Sequence, residues 1–418
     1  MVISAVQSEF QFVMQKVLFL CLGLGVISCN PNYNVTPIKQ GVWRGELKIS
    51  ETEILPFNFE IIGKKSMKIF NAEEVILVDD IEYRNDSVFI KMPVFEGYFA
   101  LAMNDTLMQG EFIKENLDRV LPFKAIHNNR TRFDEPNQQP MANVSGNWEA
   151  IFSPGVKGDE YIAKGIFKQE GNIVTGTFRT TTGDYRYLQG VMDGDELKLS
   201  AFDGAHAYLF TATVSNNAIQ GVFYSGNHFN EPFIAKRNDT FELPESDNLT
   251  FLKDGYDRID FKFPDASGKM VSLNDDQFKN KVVVVQIMGS WCPNCLDESK
   301  YYSEFYKENQ NKDIEFVALA FEYAKTQEAA FKSIERLKDD VGINYPILLA
   351  QFGTSDKQKA QEKLPMLNHV LSYPTSIFID KTGKVRKIHT GFNGPATGEK
   401  YVEFKKEFKE FVNTLLEE

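Results

Sequence analysis

The sequence predicts a multidomain chain: an N-terminal all-β region of antiparallel meanders with barrel-like closure, followed by a C-terminal α/β domain. Three observations predict it. Residues 41–236 form short alternating apolar and polar runs punctuated by Gly, Asn and Asp, as antiparallel hairpins require. Residues 282–288 (VVVVQIM) are a nearly continuous apolar run, as in a strand covered on both faces, and helical and strand patterns alternate after them. A length of 418 residues also exceeds what one hydrophobic core usually serves.

Composition excludes several classes. With 43% hydrophobic and 25% charged residues, the chain is neither mostly disordered nor collagen-like. Its hydropathy is too low for a multi-span membrane protein. The formal charge of −12 repels phosphate backbones and no long Lys/Arg run offsets it, so no nucleic-acid partner is expected.

Taking the chain in order, residues 17–27 (VLFLCLGLGVI) follow Lys16 and form an apolar run too short to span a bilayer but suited to a signal-peptide core. Residues 1–28 are therefore read as a signal peptide. Residues 1–13 contain Glu9 and no basic residue, so Met14 is read as the true start. Val26-Ile27-Ser28-Cys29 resembles the lipobox of bacterial lipoproteins, which implies lipidation at Cys29 as the new N-terminus. A cleaved soluble signal or an N-terminal helix is the alternative. Residues 29–40 read as a polar tether, and with no acidic run beside Cys29 the expected location is periplasm-facing, anchored by lipid to a bacterial membrane.

Within the β region, landmarks recur in order. Gly41-Val42-Trp43 is matched by Gly146-Asn147-Trp148, Gln109-Gly110-Glu111-Phe112 by Gln220-Gly221-Val222-Phe223, and Pro122-Phe123-Lys124-Ala125 by Pro232-Phe233-Ile234-Ala235. The spacing predicts an internal duplication, with repeats at 41–127 and 146–237 and a linker at 128–145; chance similarity of two meanders is the alternative. Turn signals stand at Gly171-Asn172, Gly194-Asp195 and Asn216-Asn217, and no long run has helical periodicity. The Gly-x-Trp opening resembles lipocalin-like and avidin-like small barrels, which implies a closed or nearly closed sheet.

A second linker, 238–256, precedes the α/β domain at 257–418. Strands are expected at 282–288, 314–321, 345–350, 375–380 and 385–389, and helices at 297–307, 326–340, 356–370 and 399–416. Trp291-Cys292-Pro293-Asn294-Cys295 lies where the buried strand gives way to a helix. A C-x-x-C there suits redox chemistry: the positive end of the helix dipole stabilises the Cys292 thiolate, and Cys295 follows one turn later. Cys292 is expected to be the exposed, low-pKa thiol and Cys295 the shielded one. Pro293 fits the first helical turn because its missing N–H had no partner there, and Trp291 should line the lip around the sulfur. A zinc site is the first alternative, but no second cysteine pair follows Cys29, so His369 and His389 would have to complete it. An inert pair or a structural disulfide is the second.

Phe263-Pro264-Asp265, the segment 268–273 (GKMVSL), the buried strand, Trp291-Cys292-Pro293-Asn294-Cys295 and Glu298 together resemble the TlpA/ResA-like thiol-disulfide oxidoreductases of the thioredoxin-like superfamily. The resemblance implies a thioredoxin-like fold and a redox-active disulfide between Cys292 and Cys295. It implies a cis-proline at Pro374 that turns the Tyr373 backbone toward the sulfurs, and a family insertion at 323–372. Thioredoxin's buried aspartate is replaced here by Gln286. Glu298 matches an acid frequent in the group; it either assists proton transfer at Cys295 or is an ordinary first-turn acid. Peroxiredoxins place a threonine where this chain has Gly289, which disfavours peroxide reduction.

The sequence thus reads as an enzyme, a membrane-anchored thiol-disulfide oxidoreductase acting on protein thiols and disulfides and needing no cofactor. Cys292 attacks and Cys295 resolves. A reductive direction implies a membrane electron donor. The alternative is a ligand- or partner-binding lipoprotein with an accessory redox domain.

Overall fold

The computed structural model describes residues 37–84 and 86–418. Cys21, Cys29 and Met14, on which the export and lipid expectations rest, lie outside the described residues. Among the described residues, no helix is long and apolar enough to cross a membrane.

The chain is built as the sequence predicts, from two β-sheet structures followed by an α/β domain. The first sheet contains β1 (Gly41–Lys48), β2 (Ile54–Ile61), β3 (Met67–Asn71), β4 (Glu74–Val78), β5 (Asp80–Arg84), β6 (Ser87–Lys91), β7 (Tyr98–Met103), β8 (Leu107–Lys114) and β9 (Arg119–His127). Consecutive strands pair and β1 also pairs with β9, but β4 and β5 do not pair, so the sheet stays open there. The second contains β10 (Gly146–Phe152), β11 (Tyr161–Glu170), β12 (Ile173–Thr180), β13 (Leu188–Asp193), β14 (Glu196–Phe202), β15 (Ala207–Val214), β16 (Ala218–Ser225) and β17 (Phe229–Arg237), and it closes into a barrel through β10 and β17. Gly171 and Gly194, both at φ 61°, supply the left-handed residues of two of its tight turns.

The repeated landmarks occupy equivalent places. Trp43 and Trp148 are fully buried on the first strand of each sheet, and each indole N–H donates to the carbonyl four residues earlier, Lys39 at 3.0 Å and Val144 at 2.8 Å. Trp43 pairs with His127 of β9, and Trp148 with Arg237 of β17, whose guanidinium lies 4.4 Å from the indole ring centre. The barrel interior is filled by Trp148, Phe152, Phe178, Phe210, Phe223 and Phe233. The open sheet completes its core with barrel residues: Phe202 sits 4.5 Å from Phe57 and 5.3 Å from Phe112, ring centre to ring centre.

Segment 128–145, read as a linker, is packed as a strap between the two sheets. Arg132 is buried there and donates to Ser200 Oγ (2.8 Å), the Phe70 carbonyl (2.8 Å) and Asn71 Oδ1 (3.0 Å). Those bonds offset the desolvation of its charge.

In the α/β domain a short hairpin, β18 (Lys262–Pro264) and β19 (Met270–Ser272), precedes β20 (Val282–Met288), β21 (Ile314–Phe321), β22 (Ile347–Gln351), β23 (Thr375–Ile379) and β24 (Val385–Thr390). The last five form one sheet in the order β22-β21-β20-β23-β24, with β20, β21 and β22 parallel and β23 antiparallel to β20. Every residue of β20 is buried, as its apolar run requires. The helices are α1 (Pro293–Glu308), α2 (Gln327–Val341), α3 (Lys357–Lys363) and α4 (Glu399–Glu417). Tyr302 and Phe305 of α1 pack on Phe408 of α4, at ring-centre distances of 5.1 and 5.0 Å. The helix expected at 356–370 ends at Lys363, because Pro365 disfavours helical backbone at the residue before it and removes an N–H from the next turn.

Candidate active site

The central strand β20 delivers the chain to the C-terminal edge of the sheet, where α1 begins. Cys292 is the N-cap of α1, in extended conformation, and Pro293 opens the first turn. Cys292 and Cys295 are joined as a disulfide with their Cα atoms 5.2 Å apart. The backbone N–H of Cys295 points at Cys292 Sγ over 3.1 Å. A thiolate formed at Cys292 would therefore meet an N–H donor and the positive end of the helix dipole together, both of which stabilise negative charge.

The loop before β23 completes the centre. The Tyr373–Pro374 peptide is cis, and the Tyr373 carbonyl oxygen lies 3.3 Å from Cys292 Sγ. Trp291 donates its indole N–H to the Phe321 carbonyl at 3.0 Å and stands edge-on to Tyr373 with ring centres 5.7 Å apart, forming one wall beside the sulfur.

Cys292 differs from expectation in exposure. It is only 4% exposed and Cys295 is fully buried, so neither sulfur of the disulfide is open. The barrel contributes to this cover through the long loop 181–187 between β12 and β13. Ser372, beside Tyr373, donates to the Thr182 carbonyl at 3.0 Å. Asn294, between the cysteines, accepts from the Asp184 N–H (3.4 Å) and donates to the Asp184 carbonyl (3.3 Å). At Gly391, just past β24, an added Cβ would meet the Thr181 carbonyl at 2.9 Å, so backbone packs directly on backbone. One barrel loop thus touches Asn294, Ser372 and Gly391.

Glu298 is fully buried, so the reading of an ordinary first-turn acid is overturned. Gln286, in place of thioredoxin's aspartate, donates to Glu298 Oε2 at 2.8 Å, while the Tyr302 and Ser376 hydroxyls lie 3.1 and 3.0 Å from Oε1. Burial pushes the Glu298 carboxyl up to about 7 against these hydrogen bonds, which favour the ionised form. It stands three residues after Cys295, on the same side of α1.

Sequence reasoning missed Glu322. It lies at the C-terminal end of β21, is buried, and accepts from both the N–H and the hydroxyl of Ser290 at 2.8 Å; burial raises it to about 7. An acid directly after a buried parallel strand was the available signal, because the carboxyl ends of such strands are where α/β sites gather. His369 and His389, which a zinc site needed, are engaged elsewhere: His369 bonds the Leu249 carbonyl at 2.9 Å, and His389 lies 2.7 Å from Asp247.

Residues 255–403 match the Redoxin family. The thiol-disulfide oxidoreductase ResA of Bacillus subtilis (strain 168) is 28% identical over 142 residues, spanning 34% of this chain and 69% of ResA. The thioredoxin-like protein YneN of the same organism is 28% identical over 140 residues, spanning 34% of this chain and 73% of YneN. ResA of Bacillus thuringiensis subsp. konkukian (strain 97-27) is 30% identical over 131 residues, spanning 31% of this chain and 66% of that protein. With its geometry and these relatives together, the C-terminal domain is a thioredoxin-like oxidoreductase domain, distantly homologous to the ResA thiol-disulfide oxidoreductases, whose redox pair is Cys292 and Cys295.

Proposed function

We propose that the protein is a lipid-anchored, periplasm-facing thiol-disulfide oxidoreductase that reduces disulfides in protein substrates. The observation carrying this reading is Cys292 at the N-cap of α1 with Cys295 one turn on, the two joined as a disulfide. In the reduced protein the Cys292 thiolate attacks a substrate disulfide; a mixed disulfide forms, and one substrate sulfur leaves as a thiolate and takes a proton. Cys295 then loses its proton and attacks Cys292 Sγ, which releases the second substrate thiolate and leaves the Cys292–Cys295 disulfide. Two electrons have passed to the substrate.

Glu298 is suited to receive the Cys295 proton, because a group titrating near 7 exchanges protons in both directions at neutral pH. The Tyr373 carbonyl beside Cys292 offers an acceptor to an extended substrate segment. Trp291 and Pro293 shape the first turn and its rim. Turnover requires a dithiol donor, and in an oxidising compartment that donor is a membrane protein. The apolar run 17–27 and the Val26-Ile27-Ser28-Cys29 that ends it support the anchor and the location. The barrel does not favour the rival reading of a ligand-binding lipoprotein, since aromatic side chains fill its interior.

The test is reduction of a protein disulfide by the full-length protein in defined glutathione buffers. Cys292→Ser is expected to bring turnover to background, and Cys295→Ser to accumulate mixed disulfides through Cys292. Turnover retained by Cys292→Ser would sink the mechanism. Mass spectrometry of the membrane fraction should find a lipid on Cys29; a soluble, unmodified chain would remove the anchor.

A further inference from the structure

The redox pair lies within residues 255–403, yet the first turn of α1 is gripped by a side chain outside that span. Arg186, in loop 181–187, is buried and sits at φ 60°. Its Nη1 donates to Asp297 at 2.8 Å and to the Pro293 carbonyl at 3.3 Å. Nη2 pairs with Glu74 of the open sheet, and Nε lies 3.9 Å from Asp203 of the barrel. The loop itself is pinned: Asp184 accepts from the Arg186 N–H at 2.8 Å and from the Gly394 N–H at 2.7 Å. One guanidinium therefore joins the open sheet and the barrel to Pro293 and Asp297 at the start of α1.

We propose that Arg186 is a positioning residue of the redox centre, through which the barrel and the open sheet set the equilibrium between the Cys292–Cys295 disulfide and the dithiol. The inference rests on the oxidoreductase reading and deepens it. The dipeptide between the cysteines fixes how the first turn presents N–H groups to the Cys292 sulfur, and Arg186 holds the carbonyl of its first residue. The guanidinium is also the positive member of a cluster that includes Glu74, Asp184, Asp203 and Asp297. Lys300 approaches Asp297 at 3.8 Å and His206 approaches Asp203 at 2.9 Å. Of the other buried acids nearby, Glu298 on α1 accepts from Gln286 of β20, and Glu322 accepts from Ser290, two residues before Cys292. Removing the Arg186 charge leaves a carboxylate surplus at the helix mouth, which disfavours the thiolate and so favours the disulfide. Removing the Glu74 charge does the opposite.

The experiment measures, on the full-length protein at neutral pH, the equilibrium constant with glutathione and the thiolate absorbance of the reduced form against pH. Arg186→Gln should shift the equilibrium about tenfold toward the disulfide, equivalent to about 30 mV for a two-electron couple, and move the thiolate titration to higher pH. Arg186→Lys keeps the charge but cannot bridge Pro293, Asp297 and Glu74 at once, and should fall between. Glu74→Gln should shift the equilibrium toward the dithiol. A folded Arg186→Gln protein with the parental constant overturns the proposal, as does a Glu74→Gln shift in the same direction as Arg186→Gln, which is the sign of general loosening. If Arg186→Gln does not fold, Glu74→Gln decides alone, and no shift overturns it. A parental pair that does not exchange with glutathione at all defeats the oxidoreductase reading instead.

Discussion

The open sheet and the closed barrel start from the same landmarks and end in different roles. The clearest difference is one connection. In the open sheet, β3 and β4 are joined by Ala72 and Glu73 alone, whereas the barrel's β12 and β13 are joined by residues 181–187, which reach over the redox centre. Both connections meet at the same place, since Glu74 pairs with Arg186 and the Ala72 N–H donates to Gln189 at 3.0 Å. The barrel satisfies its own core, so its loop is free to serve the neighbouring domain. The open sheet does not, and it takes Phe202 from the barrel to fill the space. Closure, then, decides which sheet depends on the other and which one touches the chemistry.

The strongest way to break this comparison is Phe202→Ala. The residue belongs to β14, yet its fully buried ring lies among Phe57, Phe99 and Phe112 of the open sheet. Truncating a buried Phe costs about 3–5 kcal/mol. If the open sheet depends on the barrel, urea unfolding of the variant shows one transition with a lower midpoint, as does the control Phe233→Ala inside the barrel. Two separate transitions, only one of them moved by Phe202→Ala, would mean that the sheets stand independently.

What was legible in the sequence was local. Turn residues such as Gly171-Asn172, the apolar run of β20, the C-x-x-C at a helix mouth and the X-Pro before β23 each signal their structure within a few residues. Distant partners decided the rest. The contacts that Thr182 and Asp184 make beside the redox pair come from more than 100 residues earlier in the chain. The burial of Glu298 depends on Gln286 and Ser376 on two different strands, so spacing on α1 left two readings open. Arg132 and Arg186 carry no such local signal, because nothing near them in sequence reveals the acceptors from other elements that converge on each. Openness of the first sheet was equally invisible, since β4 and β5 carry normal strand patterns and fail only to meet.

A second prediction sharpens the role of loop 181–187 through pH. Burial, followed by the nearby Asp297 charge, pushes the Asp184 carboxyl up to about 6 from an unfolded value near 3.8. A carboxyl raised on folding binds its proton more tightly in the native state, so its contribution is fully present below the unfolded pKa and is lost as pH rises through the folded one. The parental protein should therefore lose up to roughly 3 kcal/mol on this account between pH 4 and pH 8. Asp184→Asn, which cannot ionise, should show a flatter pH profile of unfolding free energy and gain on the parent toward pH 8. Identical profiles for the two proteins would show that Asp184 does not titrate in the docked loop.

The smallest expected effect on stability tests the cover itself. Gly183 has φ 153°, and a Cβ built there would lie 2.0 Å from Asn294 Nδ2 and 2.6 Å from its Cγ. Gly183→Ala therefore displaces the Asn294 side chain and breaks its two bonds to Asp184, at a cost of about 1–2 kcal/mol for the strained backbone and the lost contacts. With that clasp released, the loop no longer holds Asn294, and Cys292 in the reduced protein should be alkylated several-fold faster than in the parent. Asn294→Ala removes the same clasp without touching the glycine and should raise alkylation similarly. In the double variant the clash is gone, so the added cost of the alanine should shrink to the backbone strain alone. The open sheet provides the control: Ala72 already has a side chain at φ 47° in the matching turn, and changing it to Gly should leave the alkylation rate at the parental value. If Gly183→Ala is alkylated no faster than the parent while Asn294 is seen to have moved, loop 181–187 does not gate the sulfur, and the cover over Cys292 comes from Trp291 and Tyr373.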